Sequence, residues 1–145
     1  MIKVKKILSE INFDKKERGG LLPYYIKDNE IYFCLMIPSN PDYGGNKPQI
    51  SKGGVDSGET SLQTAIREAK EELGYVHKSN YTIEQIHKEN NITWYCVRVD
   101  DTNFKNHDNE TKKVLWLPSK KAFSVIRDWQ KSILAKAYIK AKKYL

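Results

Sequence analysis

Cysteine is scarce in this sequence: the 145 residues include only Cys34 and Cys96. Both fall inside apolar, strand-like runs, and no Cys-x-x-Cys spacing occurs. A disulfide framework is therefore not indicated, and the usage is that of a reduced, cytoplasmic protein with buried thiols. Histidine is nearly as rare, and His77, His87 and His107 show no ligand spacing. No apolar run approaches the length of a membrane span, and the stretch Met1 to Leu8 lacks the long apolar core of a signal peptide. Repeats and low-complexity segments are missing, as is the signature of any nucleic-acid-binding module. These absences set aside secreted, membrane and repeat classes and leave an expectation of a cytoplasmic globular chain with no membrane partner.

What the chain has in excess is positive charge. Lys and Arg number 25 against 18 Asp and Glu, a formal net charge of +7, with a pI near 9.3. That balance suits polyanionic ligands such as nucleotides, polyphosphates or RNA, and it equally suits a merely soluble basic protein. The length fits one domain over 1–145 with an unstapled core. Residues 1–18 mix charge with Ile2, Val4, Ile7, Leu8, Ile11 and Phe13, as an edge strand or an arm would. Strands are expected over 19–26 and 31–37, joined as a hairpin at Asp28-Asn29, and again over 81–86 and 92–99. The segment 38–48, rich in Gly, Asn and Pro, reads as a loop whose Tyr43 to Lys47 tip either reaches over a ligand or is plain surface. Ser119 is placed to cap a helix containing Ala122, Phe123, Val125 and Ile126, and a basic amphipathic helix is expected from about Trp129 to Tyr144. Strands, a helix, more strands and two helices make an α/β chain with a mixed sheet between helices.

The central stretch, Gly53 to Tyr75, carries the chemistry. Thr60 and Ser61 offer N-cap oxygens, with Gln63 as a capping-box partner for Thr60. Leu62, Ala65, Ile66, Ala69 and Leu73 recur at the spacing of one apolar helical face. Gly74 stands where a left-handed terminal residue is wanted, so a helix is expected over about 61–73. On it Glu72 lies about 40° from Glu68, and Glu71 about 60° to the other side. Three carboxylates on one ridge repel, so a positive partner should offset them. Arg67 can fork onto a carboxylate. A divalent cation is the other candidate, and clustered oxygens suit Mg²⁺ or Mn²⁺. A solvated acidic face is the plain alternative for one such pair. It does not explain the glycines, the Arg and the acids arriving together.

The pattern Gly53, Glu59, Arg67, Glu68, Ala69, Glu71, Glu72, Gly74, Tyr75 resembles the signature of the Nudix hydrolases. Only two apolar slots are loose, Ala69 being small and Tyr75 aromatic. The resemblance implies an α/β/α sandwich with a mixed central sheet. It also implies hydrolysis of a pyrophosphate bond in a nucleoside diphosphate linked to another moiety, with Mg²⁺ or Mn²⁺ as cofactor. Glu68, Glu71 and Glu72 would hold the metal, with the backbone carbonyl near Gly53 as a further ligand. Glu68, Glu71 and Arg67 are the candidate catalytic residues: Glu71 leads as general base, and Arg67 with Glu59 braces the loop and helix. Gly53, Gly54 and Gly58 let backbone approach metal and phosphate closely.

Three further positions bear on substrate. Lys52, directly before Gly53, resembles the Pro-Lys-Gly entry of the dinucleoside polyphosphate enzymes, with Ser51 replacing the Pro. Its ammonium would bind a phosphate oxygen. The strand over 92–99 resembles the one whose aromatic residue stacks on the base in that group, which points to Tyr95 or Trp94. Core packing is the alternative for each ring. Glu110, opening the segment that ends in Trp116-Leu117, matches an extra metal ligand or base of the subgroup, or is a surface acid. Three functional readings follow: a dinucleoside polyphosphate hydrolase, the same chemistry on ADP-ribose, a sugar nucleotide or an RNA 5′ end, and a nucleotide-binding module without turnover.

Overall fold

The computed structural model describes residues 16–43 and 45–145, so nearly all of the segment read as an edge strand or arm lies outside the described residues. Six strands form one sheet: β1 (Arg18–Lys27), β2 (Glu30–Pro38), β3 (Ser51–Gly54), β4 (Ile83–Glu89), β5 (Ile92–Arg98) and β6 (Thr111–Pro118). The helices are α1 (Ser61–Leu73), α2 (Ser119–Val125) and α3 (Lys131–Ala141), with 3₁₀ turns at Pro41–Tyr43, Asp128–Gln130 and Lys142–Tyr144. The sheet order is β4-β5-β1-β2-β6, and β3 pairs with the first half of β1. β1 and β5 run parallel while the other four pairings are antiparallel, so the sheet is mixed.

Alternation along the central strands sorts the core into two layers, because successive side chains of a strand leave by opposite faces. Leu22, Tyr24, Phe33, Leu35, Trp94 and Cys96 pack on one side with Ala122, Ile126, Leu134 and Ala137 of the C-terminal helices. Leu21, Cys34, Met36, Tyr95 and Val97 pack on the other with Ala65, Ala69 and Leu73 of α1. Helices cover both faces of a sheet whose middle strands are apolar throughout, which is the α/β/α sandwich. Cys34 and Cys96 are buried, free thiols in opposite layers.

Several boundaries differ from expectation for identifiable reasons. The glycine pair that opens the central stretch belongs to β3, with Gly53 opposite Gly19 in the ladder. A Cβ on Gly19 would collide with the Ser61 carbonyl, so the first turn of α1 sits directly on bare backbone. The strand expected over 81–86 runs from Ile83 to Glu89, because Asn90 and Asn91 both take positive φ (52° and 65°) and turn straight into β5. Asp28 and Asn29 do the same (52° and 62°) between β1 and β2, the two-residue turn that matches strand twist. Ser119 caps nothing: the N-cap of α2 is Pro118, with no side-chain cap, and the Ser119 hydroxyl donates to Glu30 instead. Both expected C-terminal helices form, but the first stops at Val125 with Ile126 extended, and the second starts at Lys131 after a 3₁₀ turn and ends at Ala141.

α1 is bounded as its residues demand. Thr60 Oγ1 accepts from the Gln63 amide (3.1 Å), and the Gln63 side chain accepts from the Thr60 amide (2.9 Å). At the other end Gly74, at φ +79°, sends its amide to Lys70 and the next amide to Ala69. Replacing Thr60 with Ala should cost about 1 kcal/mol. Gly74→Ala should cost roughly 2–4 kcal/mol, since it forces a Cβ into the left-handed region and onto the Lys105 carbonyl. Urea unfolding measures both, and a midpoint for Gly74→Ala equal to that of the parent would refute the packing argument.

Candidate active site

Arg67 is the hub of the site. Its Nε and Nη2 donate to the two oxygens of Glu59 (2.8 and 3.0 Å), a bidentate fork that ties helix to loop. Nη2 also reaches the Gly54 carbonyl (3.1 Å), and Nη1 donates to Glu68 (2.9 Å) with Glu71 at 3.5 Å. Glu59 Oε1 further accepts from the Asp56 amide and the Thr64 hydroxyl. The Arg67 hydrogen bonds, followed by the Asp56 amide, hold the Glu59 carboxyl down at about 2. The Arg–Glu pair stays fully charged and orients the turn of helix bearing the other acids.

Those acids do not share one environment. Glu68 sits against bare backbone: a Cβ on Gly53 would overlap its carboxyl group. Glu72 turns toward β3, where its Oε1 accepts from the Ser51 hydroxyl (2.7 Å) and the Lys52 amide (3.1 Å). Burial nevertheless pushes the Glu72 carboxyl up to about 7, helped by the neighbouring Glu68 charge, and burial raises Glu68 as well. Glu71 is different, with its side chain 44% exposed against 15% for Glu68.

A cavity of about 770 Å³ opens beside these groups, lined by Glu68, Glu72, Glu110, Lys52, Gln49 and Arg127 and rimmed by Asn40, Asp42 and Tyr43. It brings together four of the residues singled out from sequence: Lys52, Glu68, Glu72 and Glu110. Glu71, Arg67, Gly53 and Gly54 are not among its lining residues. Trp94 and Tyr95 lie elsewhere, because adjacent strand positions face opposite layers. Trp94, 2% exposed, covers Gly20 in one core. Tyr95, 8% exposed, shares a hydrogen bond with Ser61 (2.8 Å) in the other. Neither ring lines the cavity. Sequence reading missed Arg127 and Gln49, and it missed Ser51 as the partner of Glu72; no spacing marked any of them.

The donor set fits a hard divalent cation. It consists of carboxylate oxygens, two of them on half-buried groups whose proton affinity is raised first by burial and then by neighbouring acids, a cost that a bound cation would offset. As placed, no three acidic, His or Cys side chains among the described residues stand close enough together to grip an ion. Arg67 draws Glu68 and Glu71 while Ser51 holds Glu72.

An α/β/α sandwich presenting helix carboxylates beside a glycine strand to a charged cavity defines a class of phosphoric-anhydride hydrolases. A family model described as the NUDIX domain matches residues 25–137, and the chain belongs to the Nudix family, by class a pyrophosphohydrolase. Solved structures share the fold at low identity. A Caenorhabditis elegans Ap4A hydrolase in a binary complex is 22% identical at TM-score 0.67, over 86% of this chain and 96% of that one. The NUDIX domain of Shewanella oneidensis NrtR complexed with ADP ribose is 14% identical at TM-score 0.71, over 86% and 87%. A MutT/nudix family protein from Listeria innocua is 15% identical at TM-score 0.70, over 89% and 95%. No curated protein matches the chain in sequence.

The two perturbed acids act on stability with opposite signs. Glu72 holds its proton more tightly folded than unfolded, so between the ordinary carboxyl value of 4.5 and about 7 the native state binds more protons. Stability in chelator should therefore fall as pH rises through that window. Glu59, held down at about 2, contributes stability that is present above 4.5 and lost toward that acid limit. Denaturant midpoints at pH 5 and 7.5 test the first effect: Glu72→Gln should lessen the decline, to which Glu68 also contributes, and an identical decline in the variant would refute the assignment.

Proposed function

We propose that the chain cleaves a pyrophosphate bond in a nucleoside diphosphate linked to another moiety, with dinucleoside polyphosphates such as diadenosine tetraphosphate preferred. One observation carries this reading: a single cavity holds Glu68, Glu72 and Glu110 together with Lys52 and Arg127. Carboxylates alone would repel a phosphate chain, and cations alone would only bind it. The two together suit a substrate bound along its phosphates with one anhydride bond beside the acids. The cavity's volume is in the range that holds nucleotide-sized ligands. The fold likeness to the C. elegans Ap4A hydrolase supports the same substrate, and the ADP ribose bound to the Shewanella domain keeps that compound as the second reading.

A divalent cation, Mg²⁺ or Mn²⁺, held by Glu68 and Glu72 with Glu71, Glu110 and the Gly53 carbonyl in reserve, would supply charge neutralisation at phosphate and a more acidic water. The chain's own groups do the rest. Lys52 lies against the phosphate oxygens as a point charge, its own affinity for a proton lowered chiefly by burial. Glu72, whose carboxyl burial pushes up to about 7 in the metal-free chain, would give up its proton on binding the cation. Glu71 is turned to solvent and Arg67, so it supports rather than abstracts. The Arg67–Glu59 fork keeps the carboxylates in register, and its loss would loosen them without touching substrate.

Product release from diadenosine tetraphosphate, ADP-ribose and a sugar nucleotide, measured with Mg²⁺ on the parent and on Glu72→Gln, tests the proposal. The parent should favour diadenosine tetraphosphate, and the variant should lose several orders of magnitude in kcat/KM. An unchanged rate in the variant would overturn the role of Glu72. A parent that binds a nucleotide tightly yet cleaves nothing would make the chain a binding module instead.

A further inference from the structure

Arg127 brings the C-terminal part of the chain to the cavity wall beside Lys52. The segment 127–130 is stitched to 48–50 by three hydrogen bonds: the Arg127 amide to the Pro48 carbonyl (3.1 Å), Arg127 Nη1 to Gln49 Oε1 (2.8 Å), and the Ile50 amide to Gln130 Oε1 (2.7 Å). Gln49 is itself buried, and its amide nitrogen contacts Met36 Sδ. Arg127 is thus fixed by both backbone and side chain. Its guanidinium lies 5.5 Å from the ring centroid of Trp129, and Lys52 Nζ lies 5.9 Å from the same centroid. Trp129 is 48% exposed and is backed edge-on by Trp94 at 5.9 Å.

Two cations gathered over one ring repel each other. Cation–π attraction offsets that repulsion only in part, being worth about 0.5–2 kcal/mol each. Other basic side chains of this chain are differently placed: Lys78 pairs with Asp100 and Asp101, Lys131 with Asp128, and Lys140 and Lys143 with Glu84. Among the ion pairs of the described residues, none links a carboxylate to Lys52 or Arg127. The two half-buried cations face the cavity, and among the described residues no carboxylate lies within ion-pair distance of either.

We propose that Arg127 and Lys52, gathered on the Trp129 ring, form a phosphate subsite that takes a phosphoryl group beyond the bond cleaved at Glu68 and Glu72. The subsite makes a chain of three or more phosphates a better substrate than a diphosphate. It deepens the pyrophosphohydrolase reading and rests on it for the identity of the bond cleaved. Arg127 and Lys52 are binding groups here. Trp129 is a positioning residue, acting through the cations that it carries, and with Lys52 and Arg127 over its ring it is not left free to stack on a base.

Calorimetric titration with inorganic tripolyphosphate, in EDTA at low salt, tests the subsite apart from turnover. The parent should bind it. Arg127→Gln and Trp129→Leu should each weaken binding roughly tenfold to a hundredfold. Trp129→Phe, which keeps a ring face, should recover most of the loss, whereas a merely structural tryptophan would give no such ring-dependent rescue of affinity. Lys142→Gln, on the exposed C-terminal turn, should bind as the parent does. In turnover, Arg127→Gln should raise KM for diadenosine tetraphosphate more than for ADP-ribose and leave kcat near the parent value. Parent-like tripolyphosphate affinity in Arg127→Gln, or equal KM changes for both substrates, would overturn the subsite. If Arg127→Gln does not fold, Trp129→Leu and Trp129→Phe decide the question. Should the parent cleave nothing while tripolyphosphate binding still depends on Arg127, the subsite stands and the catalytic reading falls.

Discussion

The fork between Arg67 and Glu59 is the constraint on which the site depends. It spans eight residues of sequence and locks the loop after β3 to the first two turns of α1. Because Arg67 also reaches Glu68 and the Gly54 carbonyl, the same guanidinium sets the helix against the strand. A lysine there would supply charge at one point and could not satisfy four acceptors in one plane. The pair is partly exposed, so its worth lies less in stability than in geometry: it leaves the neighbouring carboxylates little choice of direction.

Much of this was legible from residues alone. The helix over 61–73 and both of its caps follow from Thr60, Gln63 and Gly74, each acting through its immediate neighbours. The hairpin at Asp28-Asn29 has the same local origin. Glu68, Glu72, Lys52 and Glu110 were named from a motif and meet in one cavity, although Glu110 is 38 positions beyond Glu72 in the sequence. Where local rules decide the outcome, or a motif encodes a tertiary arrangement, sequence reading reaches far.

It failed where neighbours distant in sequence decide. Trp94 and Tyr95 are consecutive, so the pleat sends one to each core, and no inspection of β5 alone reveals that both faces are covered. Glu71 and Glu72 flank Glu68 on either side by helical angle, yet Ser51 captures Glu72 and Arg67 faces Glu71, giving one a half-buried seat and the other solvent. Ser119 has the right identity for a cap, but its hydroxyl finds Glu30 across the β2–β6 pairing. Arg127 looked like one more basic residue between two helices. Only the contact of its segment with residues 48–50 turns it toward the cavity.

The acids and the cations of that cavity are unbalanced in opposite senses. Burial, first of all, raises the proton affinity of the half-buried Glu68 and Glu72. Lys52 and Arg127, in turn, share an aromatic shelf. The two groups relieve each other only in part: Glu72 takes its hydrogen bond from the Lys52 amide, while the Lys52 ammonium acts on it through charge alone. Such opposed charges could collapse into a salt bridge if the backbone allowed it. The Arg67 fork on one side and the stitching of 127–130 to 48–50 on the other prevent that. The double core beneath gives both frames rigid support. A site held open against its own electrostatics spends folding stability on complementarity to something absent from the free chain. A ligand that brings a cation and an anion together would answer both kinds of side chain at once.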